Sequence, residues 1–266
     1  MRILILANFD EGLYKFRGEL LEKLARKNEV YFTVPDGKYI AKLEALGCKY
    51  IQDTVLSRHN INPFQELRLI AFYSNCIKSL KPNVVLTYTI KPNIYGGLVC
   101  RRNRIPYIVN ITGLGIAVEN DGIMQQITIP LYRMALRKAA IVFFQNVENR
   151  DFMIGHRMIS GPSKLLPGSG VNLERYPAQP YPNGPIMDFI FVARIMKEKG
   201  IDQYLAAAKE IRKRHPETRF HVFGICEQDY ENKLRMYQEE GTIIYHGAVS
   251  DMVPVYRMSC CTVHPT

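Results

Sequence analysis

The 266-residue chain lacks the pairings that build metal and redox centres. Its six cysteines (Cys48, Cys76, Cys100, Cys226, Cys260, Cys261) form no C-x-x-C, and Cys260 and Cys261 stand in an apolar run. They read as reduced, mostly buried thiols of a cytosolic protein. The histidines (59, 156, 215, 221, 246, 264) are scattered, with no H-E-x-x-H, so no metal centre is expected. No segment approaches the roughly 20 apolar residues that span a bilayer, and Met1–Ala7 is too short for a signal-peptide core. The first strand is followed by Ala7-Asn8-Phe9-Asp10-Glu11-Gly12 rather than G-x-G-x-x-G, which argues against a nicotinamide site. A G-x-x-x-x-G-K-[ST] loop and a G-x-S-x-G elbow are missing too, as is the Asp-x-Asp that holds a nucleotide-bound cation. Glu119/Asp121 and Glu227/Asp229 read as solvated loop acids. Basic residues do not follow one recognition helix or interleave with stacking aromatics, so no nucleic-acid partner is expected.

What is present is ordinary soluble-protein material, 47% apolar and 23% charged, long enough for two domains. Strand-like and helix-like segments alternate: Arg2–Ala7, Val30–Val34, Cys48–Ile51, Val84–Thr87, Tyr107–Ile111, Ala140–Gln145 and Leu165–Leu166 as strands, with amphipathic stretches between them. This alternation predicts a parallel, doubly wound α/β sheet. Five of the fifteen prolines and three glycines fall between Pro167 and Pro185, which marks a linker. The predicted organisation is a Rossmann-like domain over 1–166, a linker over 167–185 and a second Rossmann-like domain over 186–266. The second has four strands, and its last has no helix to cover it, so the chain is expected to be a fragment. Charge is divided unevenly. Residues 1–180 hold 24 Lys and Arg against 14 Asp and Glu, while residues 181–266 hold 11 of each. The basic half points to an anionic partner, with plain solubility as the alternative.

The most informative stretch is Phe189 to Gly200, F-I-F-V-A-R-I-M-K-E-K-G. A short buried strand ends in a turn carrying Arg194, Lys197 and Lys199, and a helical pattern opens after Gly200. Ligands of open α/β sheets sit outside the carboxyl ends of the strands, and a helix N-terminus offers free N–H groups to an anion. Arg194 can fork onto two phosphate oxygens and a lysine can act as a point charge, so the turn reads as a diphosphate cradle. Its alternative is a merely solvated turn. Gly12 and the loop Thr112-Gly113-Leu114-Gly115 admit close approach of a ligand to the backbone, or serve only as turns. Ser169-Gly170, at the start of the linker, would face a cleft between domains.

Taken in order, these pieces resemble the family 4 glycosyltransferases of the GT-B fold, in particular bacterial enzymes that build capsular polysaccharide, O-antigen or lipid-linked glycans. The resemblance rests on Arg2–Ala7 with Gly12 and Phe16-Arg17, Thr89-Ile90-Lys91-Pro92-Asn93 through Gly115, and Phe144-Gln145-Asn146. It continues through Pro167–Asn172, Arg194 with Lys199-Gly200, and His246–Asp251. It implies two Rossmann-like domains and a nucleotide-sugar donor, a UDP-sugar, whose diphosphate is neutralised by Arg194 and Lys199 in place of a metal or other cofactor. The nucleobase would be received around Gly224, Gly247, Val249 and Asp251. Gly12, Thr112, Gly113, Gly115, Ser169 and Gly170 would approach donor and acceptor. The implied reaction is sugar transfer, with retention, to a polyprenyl-diphosphate-linked saccharide. The enzyme would sit in the cytoplasm, peripheral on the inner face of the cell membrane, held to anionic lipid by its basic N-terminal domain.

Two departures qualify what the resemblance implies. Many members carry a histidine after the fifth strand, where this chain reads Asn110-Ile111-Thr112, and the family's Glu-x7-Glu segment would lie beyond Thr266. No catalytic residue is therefore assigned, and the 266-residue chain by itself is expected to bind donor poorly and to be inactive. The competing expectations are a non-catalytic remnant that binds nucleotide or membrane, and a GT-B sugar-nucleotide epimerase.

Overall fold

Strand β1 (Arg2–Leu6) lies in the middle of the first sheet, and its Ile-Leu-Ile-Leu run is buried on both faces. That is what a parallel sheet covered by helices on two sides demands. The computed structural model describes residues 1–56, 62–115, 118, 122–182, 184 and 186–265. Glu119 and Asp121 lie outside them, as does His59.

The chain divides into two units, Met1–Gly170 and Val171–Thr266. In the first, β1 is followed by α1 (Asp10–Ala25), β2 (Glu29–Val34), α2 (Ile40–Ala45), β3 (Cys48–Gln52), α3 (Pro63–Leu80) and β4 (Val84–Tyr88). A π-helical turn at Pro92–Gly96 runs into α4 (Gly97–Asn103), then come β5 (Tyr107–Ile111), α5 (Ile123–Leu136), β6 (Ile141–Phe144), α6 (Val147–Gly155) and β7 (Ser163–Leu165). The sheet is parallel throughout, in the order β3-β2-β1-β4-β5-β6-β7. The winding reverses between β1 and β4, so the crevice outside their carboxyl ends is the natural ligand position.

Local chemistry sets several of the boundaries. Asn62 accepts the Phe64 N–H at 3.0 Å and Pro63 occupies the first turn of α3, while Asn146 accepts the Asn149 N–H at 2.8 Å at the start of α6. The first helix begins at Asp10, where Asp10 and Glu11 suit the positive end of its dipole. Gly12 thus lies inside the first turn rather than ahead of it.

The second unit holds β8 (Asp188–Val192), a 3-10 turn (Lys197–Lys199), α7 (Ile201–Arg214), β9 (Arg219–Phe223), α8 (Glu231–Glu239), β10 (Ile244–Gly247), α9 (Val253–Met258) and β11 (Cys261–Thr262). Its four strands are parallel, in the order β10-β9-β8-β11. One face is packed by Phe191, Tyr204, Leu205, Phe220, Val222 and Leu234, the other by a smaller cluster of Ile190, Phe223 and Val255. The doubly wound α/β architecture predicted for both halves is therefore present in both units. The cysteine expectation needs correction. Cys48, Cys76 and Cys100 are buried, but Cys226, in the loop after β9, is half-buried, and Cys260 is half-buried and Cys261 exposed because β11 is an edge strand two residues long.

Candidate functional site

In the first unit the carboxyl ends of β1, β4, β5 and β6 open onto one cavity of about 1210 Å³. Gly12, Thr112, Gly113, Gly115 and Ser169 all line it, so the structure brings five of the six predicted loop residues together; Gly170 is not among the lining residues. Gly115 has a φ of +72°, and a Cβ there would stand 2.8 Å from Ile90 Cδ1, so only glycine suits the position. The Gln145 amide donates to the Ser169 hydroxyl at 3.5 Å and ties the end of the unit to β6.

The residue after β4 is strained. Thr89, a β-branched residue, holds a φ of +73°, with its hydroxyl donating to the Tyr88 carbonyl. The π-helical turn follows directly, a form concentrated at functional places in folds. Together they direct Ile90, Lys91 and Tyr95 at the cavity. The Lys91 ammonium lies 2.7 Å from Glu66 Oε1, and both side chains are largely buried. Beside them, burial together with the Glu66 charge pushes the Tyr95 phenol up to about 12. Glu66 carried no signal in the sequence, because 25 residues separate it from its partner. Arg17 lies 5.5 Å from the Tyr88 ring centroid and forms no ion pair among the described residues.

In the second unit the carboxyl ends of β8, β9 and β10 converge. The Gly224 N–H donates to the Gly247 carbonyl at 2.8 Å, and a Cβ on Gly224 would fall 1.8 Å from the Ala193 carbonyl oxygen. Beyond β8 the backbone pairing continues, with Ile195 N–H donating to Ile225 at 2.8 Å and Glu227 N–H to Ile195 at 3.1 Å. This places Arg194 beside Glu227, where its Nη1 donates to Oε2 at 2.7 Å. Lys199 ends the 3-10 turn and has no ion-pair partner among the described residues. Gly200, at φ +72°, then opens α7, with Pro265 packed against it. Val249 packs beside Ile190, Phe223 and Val255, and Asp251 accepts the Val253 N–H at 3.0 Å to start α9. Arg194, Lys199, Gly224 and Gly247 thus stand at the same end of one sheet.

The scattered histidines are not all apart. Asp188 is forked by Arg219 (2.6 and 2.7 Å) and lies 2.8 Å from His221 Nε2, while His221 Nδ1 lies 2.9 Å from His246 Nε2. The ionised carboxylate can only accept, so His221 Nε2–H donates to it, leaving Nδ1 to accept from His246 Nε2–H. Burial pushes the Asp188 carboxyl up, but Arg219 and then His221 outweigh it and hold the group below its ordinary value. Burial, with His221 beside it, pushes the His246 imidazole down. This set sits on three adjacent strands, which spacing along the chain cannot show.

The family model described as "Glycosyl transferase 4-like" matches residues 2–146, more than half of the chain. The chain belongs to that family. A second model, "Glycosyl transferases group 1", matches residues 178–266 of this glycosyltransferase. Among curated proteins it is similar to the N,N'-diacetylbacillosaminyl-diphospho-undecaprenol alpha-1,3-N-acetylgalactosaminyltransferase of Campylobacter jejuni. The two are 24% identical over 281 residues, an alignment that covers 97% of this chain and 72% of the relative. Among solved structures it is similar to a glycosyltransferase from Rickettsia africae (TM-score 0.75, 16% identity, 100% of this chain and 73% of the other). It is also similar to Anabaena HepE in complex with UDP-glucose (TM-score 0.74, 15% identity, 99% and 73%). These likenesses show the GT-B glycosyltransferase fold. Among the described residues no helix is long and apolar enough to cross a membrane.

Proposed function

We propose that this glycosyltransferase moves a sugar, with retention, from a UDP-sugar to a saccharide carried on a polyprenyl diphosphate. The observation that carries the reading is the converged edge of the second sheet. A half-exposed arginine and a lysine without an ion-pair partner bracket the entry to α7, with glycine-only backbone at the ends of the neighbouring strands. Such an edge admits a nucleotide close to the backbone and meets its phosphates with positive charge. In this reading the charge that develops on the departing diphosphate is stabilised by Arg194, Lys199 and the first N–H groups of α7, in the role a metal ion fills elsewhere. The nucleobase lies against the Gly224, Gly247, Val249 and Asp251 segments. The acceptor takes the cavity of the first unit, beside Gly12, Thr112, Gly113, Gly115 and the Ser169-Gly170 segment. The acceptor class is supported by the Campylobacter relative, whose name gives a diphospho-undecaprenol substrate. The net positive charge of residues 1–180 supports a peripheral seat on an anionic inner membrane face.

The test is transfer by the full-length gene product from a panel of nucleotide-sugars to a polyprenyl-diphosphate-linked saccharide, read by mass spectrometry. Transfer that needs UDP-sugar and persists in EDTA is expected. Nucleotide binding without transfer to any acceptor would reduce the chain to a binding remnant, and epimerised donor without acceptor would assign an epimerase instead.

A further inference from the structure

The cavity of the first unit is chemically unlike a site made for sugar alone. Its floor is formed by Leu13 and Ile94, each about 3% exposed, and its walls by Phe16, Ile90, Ile127 and Leu131. Sugar hydroxyls pressed against such walls would lose water and gain no partner. At the mouth, Phe16, Ile123 and Ile127 hold 63%, 75% and 51% of their surface in water. Large apolar side chains left exposed around a pocket mark a place where something apolar docks. They also continue inward as a concavity, whereas a surface meant only to enter a bilayer presents its apolar side chains outward. Arg17 lines the same cavity, half-buried over Tyr88 and without a carboxylate partner among the described residues, while Lys91 is already held by Glu66. The lining thus asks for an apolar chain with one anionic end.

We propose that the cavity binds the diphosphate-proximal isoprenyl units of the acceptor, with Phe16, Ile90, Ile94 and Ile127 around the hydrocarbon and Arg17 at the diphosphate. The proposal rests on the lipid-linked acceptor reading and assigns this unit the task of recognising the carrier lipid as well as the saccharide. The apolar mouth then gives the rest of the tail a path toward the lipid it is anchored in.

Two measurements test it. In the first, farnesyl diphosphate and inorganic diphosphate are titrated into the intact chain by calorimetry, alongside the Phe16→Gln and Ile127→Gln variants. Both positions are more than half exposed, so both variants are expected to fold. Farnesyl diphosphate should bind at least tenfold more tightly than diphosphate, and each variant should reduce that ratio severalfold. Equal affinities, or a ratio that neither variant changes, would overturn the proposal. So would equal retention of the chain by neutral vesicles with and without polyprenyl diphosphate, which would assign the apolar mouth to bulk bilayer. In the second, one saccharide is offered on a long and on a very short diphosphate-linked tail. A KM at least tenfold lower for the long tail supports the proposal, and equal KM values overturn it. Tail-dependent binding without transfer would instead sink the transferase reading and leave a lipid-binding cavity standing.

Discussion

Replacing Arg194 tests the diphosphate assignment most directly, because the structure shows what the guanidinium does before any donor arrives. Its partner Glu227 lies 2.7 Å away, and the two side chains are 56% and 41% exposed. Exposed pairs of this kind are worth about 0.2–1 kcal/mol. Trading Glu227 for a diphosphate therefore costs Arg194 at most about 1 kcal/mol. A lost donor to a developing oxyanion costs about 2.7–4 kcal/mol, roughly a hundredfold to a thousandfold in kcat. The second magnitude exceeds the first, so the diphosphate should draw Arg194 off the glutamate. Arg194→Ala is then expected to lower kcat by about 10²–10³ and to weaken UDP binding. Glu227→Gln should do the opposite and mildly, tightening UDP by no more than about fivefold, since 1.4 kcal/mol corresponds to a factor of ten. Calorimetric titration of UDP and single-turnover transfer measure the two effects separately. Unchanged turnover in Arg194→Ala, or a Glu227→Gln loss as large as that of Arg194→Ala, would refute this reasoning and leave the pair as a surface salt bridge.

Other outcomes are expected from the same frame. Lys199→Ala, which removes a lysine with no ion-pair partner among the described residues, should also cost about 2–4 kcal/mol of transition-state stabilisation, read from kcat with saturating donor. Gly224→Ala should destabilise the second unit by about 3 kcal/mol in urea unfolding, since its φ is +152° and the added Cβ would sit 1.8 Å from the Ala193 carbonyl. The lowered pKa of His246 means the unfolded chain binds its proton first as pH falls. Stability contributed by that group is therefore complete above about pH 6.5 and is lost as pH drops toward the folded value; His246→Gln should flatten the dependence of the unfolding midpoint on pH below about 6.5. The depressed Asp188 carboxyl contributes at lower pH, its share being present above about pH 4 and lost below it, which Asp188→Asn should remove. Co-sedimentation with anionic vesicles should fall steeply between about 50 and 500 mM salt, and binding that ignored salt would contradict an electrostatic seat.

How far the fold could be read ahead of the structure follows from which interactions are local. The alternation of β-branched runs with amphipathic segments lies within short windows, so the strand positions, the doubly wound class and the entry to α7 at Gly200 were all legible. Helix ends were less so, because Asp10 and Glu11 extend α1 through a dipole effect that a hydrophobic pattern does not register. The residues of the candidate site fall into the same two classes. Arg194, Lys199, Gly12 and the Thr112–Gly115 loop stand next to strand ends, and an open sheet makes strand ends the default place for ligands. Glu66 with Lys91 and Asp188 with His221 and His246 are joined only after segments 25 or more residues apart are brought together by the fold.

This difference has a chemical consequence. Groups visible from local pattern are the mobile, solvent-facing cations suited to meeting a ligand, whereas the groups hidden from it are buried carboxylates held by fixed partners. A buried carboxylate is stable only where its partner is already in place, so such pairs must be assembled by the fold itself and serve to fix the geometry around a site. Lys91, held by Glu66 after a strained threonine and a π-helical turn, is therefore expected to position the cavity wall, and Arg17, with no ion pair among the described residues, to receive the charge that enters it.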